Sequence, residues 1–174
     1  VWWINCSDGT NSNITAARNL TIDTNECGYV SSSLQLTRTS YIDGTCFTIN
    51  ANHIFINGSG NTVLGADTGT GAVISGFSNI TFKNVILKNF SLGIDAQNAQ
   101  NLTIWNNSID TNSSSGAASA RYGVELTNVN QSNISNNTIF TSNSNSFAIY
   151  SISSSGSNNV TVSYVPLPPG ISVV

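Results

Sequence analysis

The segment NITFKNVIL (79–87) returns as NLTIWNNSI (101–109), as NISNNTI in shortened form (133–139), and weakly as NVTVSYV (159–165). With the second inward apolar residue as marker, Phe82, Ile104, Ile134 and Val162 stand 22, 30 and 28 residues apart. A second marker recurs between them, in Gly93-Ile94-Asp95, Gly123-Val124-Glu125 and Ala148-Ile149-Tyr150. Upstream, LTI at Leu20, FTI at Phe47, IFI at Ile54, TVL at Thr62 and AVI at Ala72 are similar short runs. Each run alternates apolar and polar positions, favours Ile, Val, Phe and Thr, and ends in Asn, Gly or Ser. Those are the marks of a strand with one buried face. No helical period persists over ten residues.

Short strands joined by Asn and Gly turns at a period of 20 to 30 residues predict a parallel β-helix, in which each coil stacks on the previous one. About six coils at roughly 4.8 Å per rung give a rod about 30 Å long. Stacking predicts internal columns, one of Phe82, Ile104 and Ile134 and another of Leu87, Ile109 and Ile139. It also predicts a turn column of Asn84, Asn107 and Asn137, because Asn tolerates left-handed backbone and identical amides can bond from rung to rung. The extra length of the 30-residue interval falls in TNSSSGAASA (111–120), a small polar segment expected to be a loop. A sandwich of the same strands is the competing architecture, but it needs two-residue hairpin turns, and the sequence has few.

Together, CFTINANHIFINGSGNTVLGADTGTG (46–71), NITFKNVILKNFSLGI (79–94) and NLTIWNNSI (101–109) resemble the right-handed parallel β-helix repeats of pectin-lyase-like proteins. They look most like the repeats of secreted archaeal surface proteins and of periplasmic copper-maturation proteins. The likeness covers roughly residues 46–165 and implies an all-β, right-handed solenoid. It implies little about activity, since that fold serves lyases, hydrolases, adhesins and structural surface proteins alike. The domain reading is a β-helix with an N-terminal cap over 1–165 and a Pro-rich extended tail over 166–174.

Composition narrows the function. Only 7% of residues are charged, about a quarter of the ordinary share, and the net charge is −3. Without a basic patch, nucleic-acid binding is set aside. No stretch approaches the roughly 18 unbroken apolar residues that span a bilayer, so no membrane span is expected. The absence of methionine at a start of Val1-Trp2-Trp3 fits removal of a signal peptide or excision of a domain.

Asparagine, serine and threonine number 26, 27 and 18. Sequons for N-linked glycans are about twice as frequent as this composition alone would give. Asn57, Asn89, Asn106, Asn112, Asn130 and Asn136 lie in turn-like sequence and are the favoured acceptors. Asn5 and Asn13 are further acceptors. Asn19, Asn79, Asn101, Asn133 and Asn159 sit in the repeated pattern, where a sequon also arises as a by-product of the fold.

Cys6, Cys27 and Cys46 are separated by 21 and 19 residues, about one coil each. Successive pairs can therefore lie on adjacent rungs at a separation a disulfide accepts. One bridge and one leftover thiol suit a secreted protein, and Cys27 with Cys46 is the expected pair, leaving Cys6. With no Cys-x-x-Cys, and a lone His53 beside an apolar strand read as structural, neither a metal nor a cofactor is expected.

The repeats place Asp95 and Glu125 on neighbouring coils at about 5 Å, the separation of a retaining glycosidase pair. Arg121 and Tyr122 lie nearby. The opposing reading is that outward rung positions are polar by default and the pair has no catalytic role. Lys88 and Asp110 align as an exposed ion pair, and Trp105 points outward, either to stack on a sugar or to pack under a loop or a neighbouring subunit. At the ends, Val1, Trp2 and Trp3, and Ile171, Val173 and Val174 beyond three prolines, are apolar segments suited either to capping the solenoid or to joining a neighbour. The functional expectation is a non-catalytic, glycosylated subunit of an extracellular filament or coat that joins copies of itself head-to-tail. A carbohydrate-active enzyme using Asp95 and Glu125 and a glycan-binding adhesin are the alternatives.

Overall fold

The computed structural model describes residues 6–7, 12–13, 25–111, 122–141, 146–152 and 159–160. Among them the chain is all strand and turn. A small antiparallel pair, β1 (Cys6–Ser7) with β2 (Ser12–Asn13), precedes the repeats. Strands then come in threes: β3 (Gly28–Val30), β4 (Leu34–Gln35) and β5 (Ser40–Tyr41); β6 (Phe47–Ile49), β7 (Phe55–Asn57) and β8 (Thr62–Leu64); β9 (Thr70–Ser75), β10 (Ser78–Lys83) and β11 (Ile86–Lys88). The pattern continues with β12 (Leu92–Gln97), β13 (Gln100–Trp105) and β14 (Ser108–Asp110); β15 (Tyr122–Thr127), β16 (Asn133–Ser135) and β17 (Thr138–Phe140); then β18 (Phe147–Ile152) and β19 (Asn159–Val160).

Every third strand joins the same sheet. The orders are β18-β15-β12-β9-β6-β3, β19-β16-β13-β10-β7-β4 and β17-β14-β11-β8-β5, and all pairs within these sheets are parallel. A chain that visits three parallel sheets in turn is a β-solenoid, and the parallel pairing removes the hairpin-built sandwich.

The predicted columns are present. Phe82 pairs with Ile104 and Ile104 with Ile134. Leu87 pairs with Ile109 and Ile109 with Ile139. Their side chains fill one continuous core with Phe47, Phe90 and Ile94, and Phe47 meets Phe82 edge-on at 5.9 Å. Burial of each such side chain stabilises the fold by about 1.5–3 kcal/mol. Glycine makes room between sheets at the second position of β12 and β15. A Cβ on Gly93 would overlap Ile109 and the Gly123 carbonyl, and one on Gly123 would overlap Ile139.

Two register expectations need correction. Asn84 does not align with Asn107 and Asn137; its equivalents are Asn106 and Asn136, all three with left-handed φ of 54–56°. The adjacent pairs Asn106-Asn107 and Asn136-Asn137 allow either alignment in sequence, and the left-handed corner selects the first of each. Asn107 and Asn137 instead form a separate, inward amide column that follows Val85. The last marker is Val160, which pairs with Ile134, and not Val162. His53, just before the apolar run at Ile54, is an exposed corner residue with φ of 60° whose N–H donates to the Ser78 carbonyl.

Loop residues 112–120, Arg121, the assembly candidates Val1, Trp2, Trp3, Ile171, Val173 and Val174, and the sequons Asn5, Asn19 and Asn112 lie outside the described residues. So does the upstream run at Leu20.

Candidate functional site

Period-two alternation sends every second residue of a strand away from the core. On the outer face of the first sheet this builds a column of Thr48, Val73, Asp95, Glu125 and Tyr150, each in register with the next. Asp95 and Glu125 are therefore on adjacent rungs, as the repeat predicts. Gln97, two residues along β12 on the same face, donates from Nε2 to both Asp95 oxygens at 2.9 and 3.2 Å.

Burial raises the pKa of Asp95, and the Gln97 hydrogen bond only partly offsets it. Glu125 is raised by burial first and then by the charge of Asp95. Both carboxyls therefore ionise less readily than they would in water, Glu125 in part because Asp95 stands on the adjacent rung.

Beside Glu125 lies a slab of rings. Tyr122 stacks on Tyr150 with centroids 4.5 Å apart and planes at 16°, and Phe147 stacks on Tyr150 at 5.7 Å and 22°. These aromatics hold because Tyr122 and Phe147 share a register position and Glu125 and Tyr150 share the next outward one. The sequence expectation names Tyr122 beside the acids and Tyr150 only as a repeat marker, and it does not include Phe147 or Gln97. The signal was available in their alignment with Leu92, Asp95 and Thr127. The arrangement offers two acids of raised pKa next to a flat aromatic platform. Its proposed companion, Arg121, falls outside the described residues.

The second sheet carries a different outward cluster. Trp105 points outward as expected and is 37% exposed. The Lys83 ammonium sits 4.7 Å from the Phe55 ring centroid and 5.9 Å from that of Trp105, a cation held between two aromatic neighbours. Lys88 and Asp110 are in register on the third sheet. No group of three metal-ligating side chains occurs among the described residues.

The expected disulfide is present: Cys27 and Cys46 are bonded, with Cα atoms 4.5 Å apart. They lie one residue before the paired Gly28 and Phe47, so the bridge ties two successive rungs. Nearby, Glu26 accepts from the Thr37 hydroxyl at 2.7 Å and lies 3.8 Å from the Arg38 Nε. Burial opposes its ionisation, but the hydrogen bonds from Thr37 and Arg38 prevail and hold its pKa below the usual value.

Of the sequons, Asn57, Asn79, Asn89, Asn101, Asn106, Asn130, Asn133 and Asn136 fall in the described body, with Asn13 in β2 and Asn159 in β19. Several occupy corners: Asn79, Asn89, Asn101, Asn106 and Asn136 have left-handed φ. No family model, no curated protein and no solved structure matches the chain.

Proposed function

We propose that the chain is a right-handed β-helix of about six coils, of the pectin-lyase-like kind, serving as a non-catalytic structural subunit of an extracellular filament or coat. In this reading it is secreted, carries N-linked glycans and stacks head-to-tail on copies of itself. The observation that carries the reading is the incomplete burial of the last described strand of two of the sheets. Ile109, Val124 and Leu126 are buried, whereas their partners on the last described strand of each of those sheets, Ile139 on β17 and Ile149 and Ser151 on β18, are not. On the same two strands Phe140, Phe147 and Ile152 are 49, 50 and 40% exposed.

Among the described residues each sheet has one neighbour-free edge at either end, β3, β4 and β5 at the first and β17, β18 and β19 at the last. The two edges run in the same strand direction, so one copy's first rung can continue another's last. Such a contact joins unlike surfaces and does not close, which favours a filament. The Cys27–Cys46 bridge suits an oxidising compartment. No helix among the described residues is long and apolar enough to cross a membrane.

Electron microscopy of the purified chain at high concentration tests the proposal. It predicts rods with an axial rise of about 30 Å per subunit, shortened or abolished by Phe147→Asp with Ile152→Asp. A chain that stays an 18.3 kDa monomer at every concentration would sink it.

A second reading, a glycan-binding or glycan-cleaving face, is favoured by the Asp95 and Glu125 pair beside the Tyr122 and Tyr150 stack. It requires saccharide binding that Tyr150→Ala weakens, and, for an enzyme, turnover that Asp95→Asn with Glu125→Gln abolishes. Unchanged cleavage in that double variant removes the catalytic form.

A further inference from the structure

Resting on the glycoprotein reading above, the structure assigns the acceptors: glycans go to Asn57, Asn79, Asn89, Asn133 and Asn136, and not to Asn101 or Asn106. The distinction lies in the amide nitrogen. N-glycosylation joins the side-chain Nδ2 to the anomeric carbon of a saccharide delivered on a polyprenyl phosphate or diphosphate. The anomeric C–O bond breaks, the phosphate leaves with its electron pair, and one Nδ2 proton passes to a base of the transferase. The modified nitrogen keeps a single N–H and gains a sugar ring.

In the solenoid, some of these nitrogens are already committed to the neighbouring rung. Asn101 Nδ2 donates to Asn79 Oδ1, and Asn106 Nδ2 donates to Asn84 Oδ1 at 2.8 Å. Asn84 in turn donates to Asn57 Oδ1 at 3.0 Å, and Asn128 donates to Asn98 Oδ1 at 2.8 Å. These outward ladders share one polarity: each amide nitrogen reaches back to the preceding rung. A ring on Asn101 or Asn106 would stand at a rung spacing of about 4.8 Å, directly against the amide that its nitrogen now bonds.

The first member of a ladder is spared that conflict. Asn57 and Asn79 accept through Oδ1 and leave Nδ2 unbonded. The side-chain amides of Asn89, Asn133 and Asn136 make no hydrogen bond among the described residues, and Asn133 and Asn136 are exposed. Asn133 forms no amide ladder with β13, where its register partner is Thr103, and on β19 it is in register with Asn159. Of the ladder donors Asn61, Asn84, Asn101, Asn106, Asn107, Asn128 and Asn137, only Asn101 and Asn106 are sequons. Rung-to-rung bonding and sugar acceptance are thus largely divided between different asparagines.

Glycopeptide mapping of the native protein, with intact mass, tests the assignment. Glycan is expected on members of the Asn57, Asn79, Asn89, Asn133 and Asn136 set, and none on Asn101 or Asn106. In a glycosylating host, Ser135→Ala and Thr138→Val each remove one glycan mass from the secreted chain. Thr103→Val and Ser108→Ala, which abolish the Asn101 and Asn106 sequons while keeping both asparagines, leave the mass unchanged apart from the substitution. Glycan on Asn101 or Asn106, or glycan confined to sequons outside the named set, overturns the assignment while leaving the glycoprotein reading intact. A native chain with no glycan at any sequon overturns the glycoprotein reading itself.

Discussion

The middle of the solenoid and the last described strands of its sheets carry the same repeat, yet only the middle is fully buried. Ile104, Ile109 and Val124 are fully buried, with a rung on either side. Ile139 and Ile149 occupy equivalent columns one rung later and remain partly exposed. Burial in this fold comes from the next rung more than from the strand's own sequence, as in other stacked-repeat architectures. A position's importance therefore depends on what stacks above it.

The sharpest way to break that comparison is a matched substitution at one repeat position. Gly123→Val meets Ile139 and the Ala148 carbonyl, and it is expected to destabilise the fold by about 3 kcal/mol or more. Ala148→Val, at the same repeat position on the exposed last strand, should cost less than about 0.5 kcal/mol. Denaturant unfolding of both variants measures the difference, and equal costs would remove the role assigned to stacking.

Reduction of the Cys27–Cys46 bridge probes the opposite end. It releases a loop with a sequence separation of 19 residues and is expected to lower stability by about 3 kcal/mol. Thermal unfolding with and without reductant reads the effect.

The amide ladders come next in size. Asn107 is 3% exposed, donates to the Phe82 carbonyl and to Asn137, and accepts from the Val85 N–H. Asn107→Ala leaves those buried partners unpaired, at an expected cost of about 2–3 kcal/mol. Asn133→Ala, whose exposed side chain makes no hydrogen bond among the described residues, should change stability by less than about 0.5 kcal/mol.

The smallest effect is in pH. The pKa values of Asp95 and Glu125 are raised above 3.8 and 4.5 in the folded chain. Their contribution to stability is therefore fully present below those ordinary values and is lost as pH rises through the raised folded ones. Glu26, whose pKa is lowered, acts in the other direction and loses its contribution as pH falls. The difference between wild type and Glu125→Gln isolates the pair: the variant should gain on wild type as pH rises from about 4 to 7. A pH-independent difference would show that the two carboxyls do not sense burial or each other.

Much of this architecture was legible because alternation and spacing are unambiguous where apolar residues mark the rungs. Phe82, Ile104 and Ile134 and the register of Asp95 with Glu125 follow from the 22- and 30-residue intervals, whereas the cysteine spacings of 21 and 19 suit either successive pair and the structure bonds Cys27 to Cys46. The asparagine corners were less legible, since consecutive asparagines such as Asn106-Asn107 differ only in backbone handedness and in which amide turns inward. Val160 escaped notice because an alternating run such as NVTVSYV fits two registers equally well. At the candidate site the acids were readable from the repeat. The repeat also aligns Phe147 with Tyr122 and Tyr150 with Glu125, but the ring stack itself joins two columns on two rungs and is not marked by any single alignment.

The most direct test of an end completed by another copy is amide hydrogen exchange over a concentration series. Exchange of β18 amides should slow together with that of β3 amides as concentration rises, while the β12 amides, already paired on both sides, keep the same protection. Protection of β18 that does not change with concentration would contradict the account.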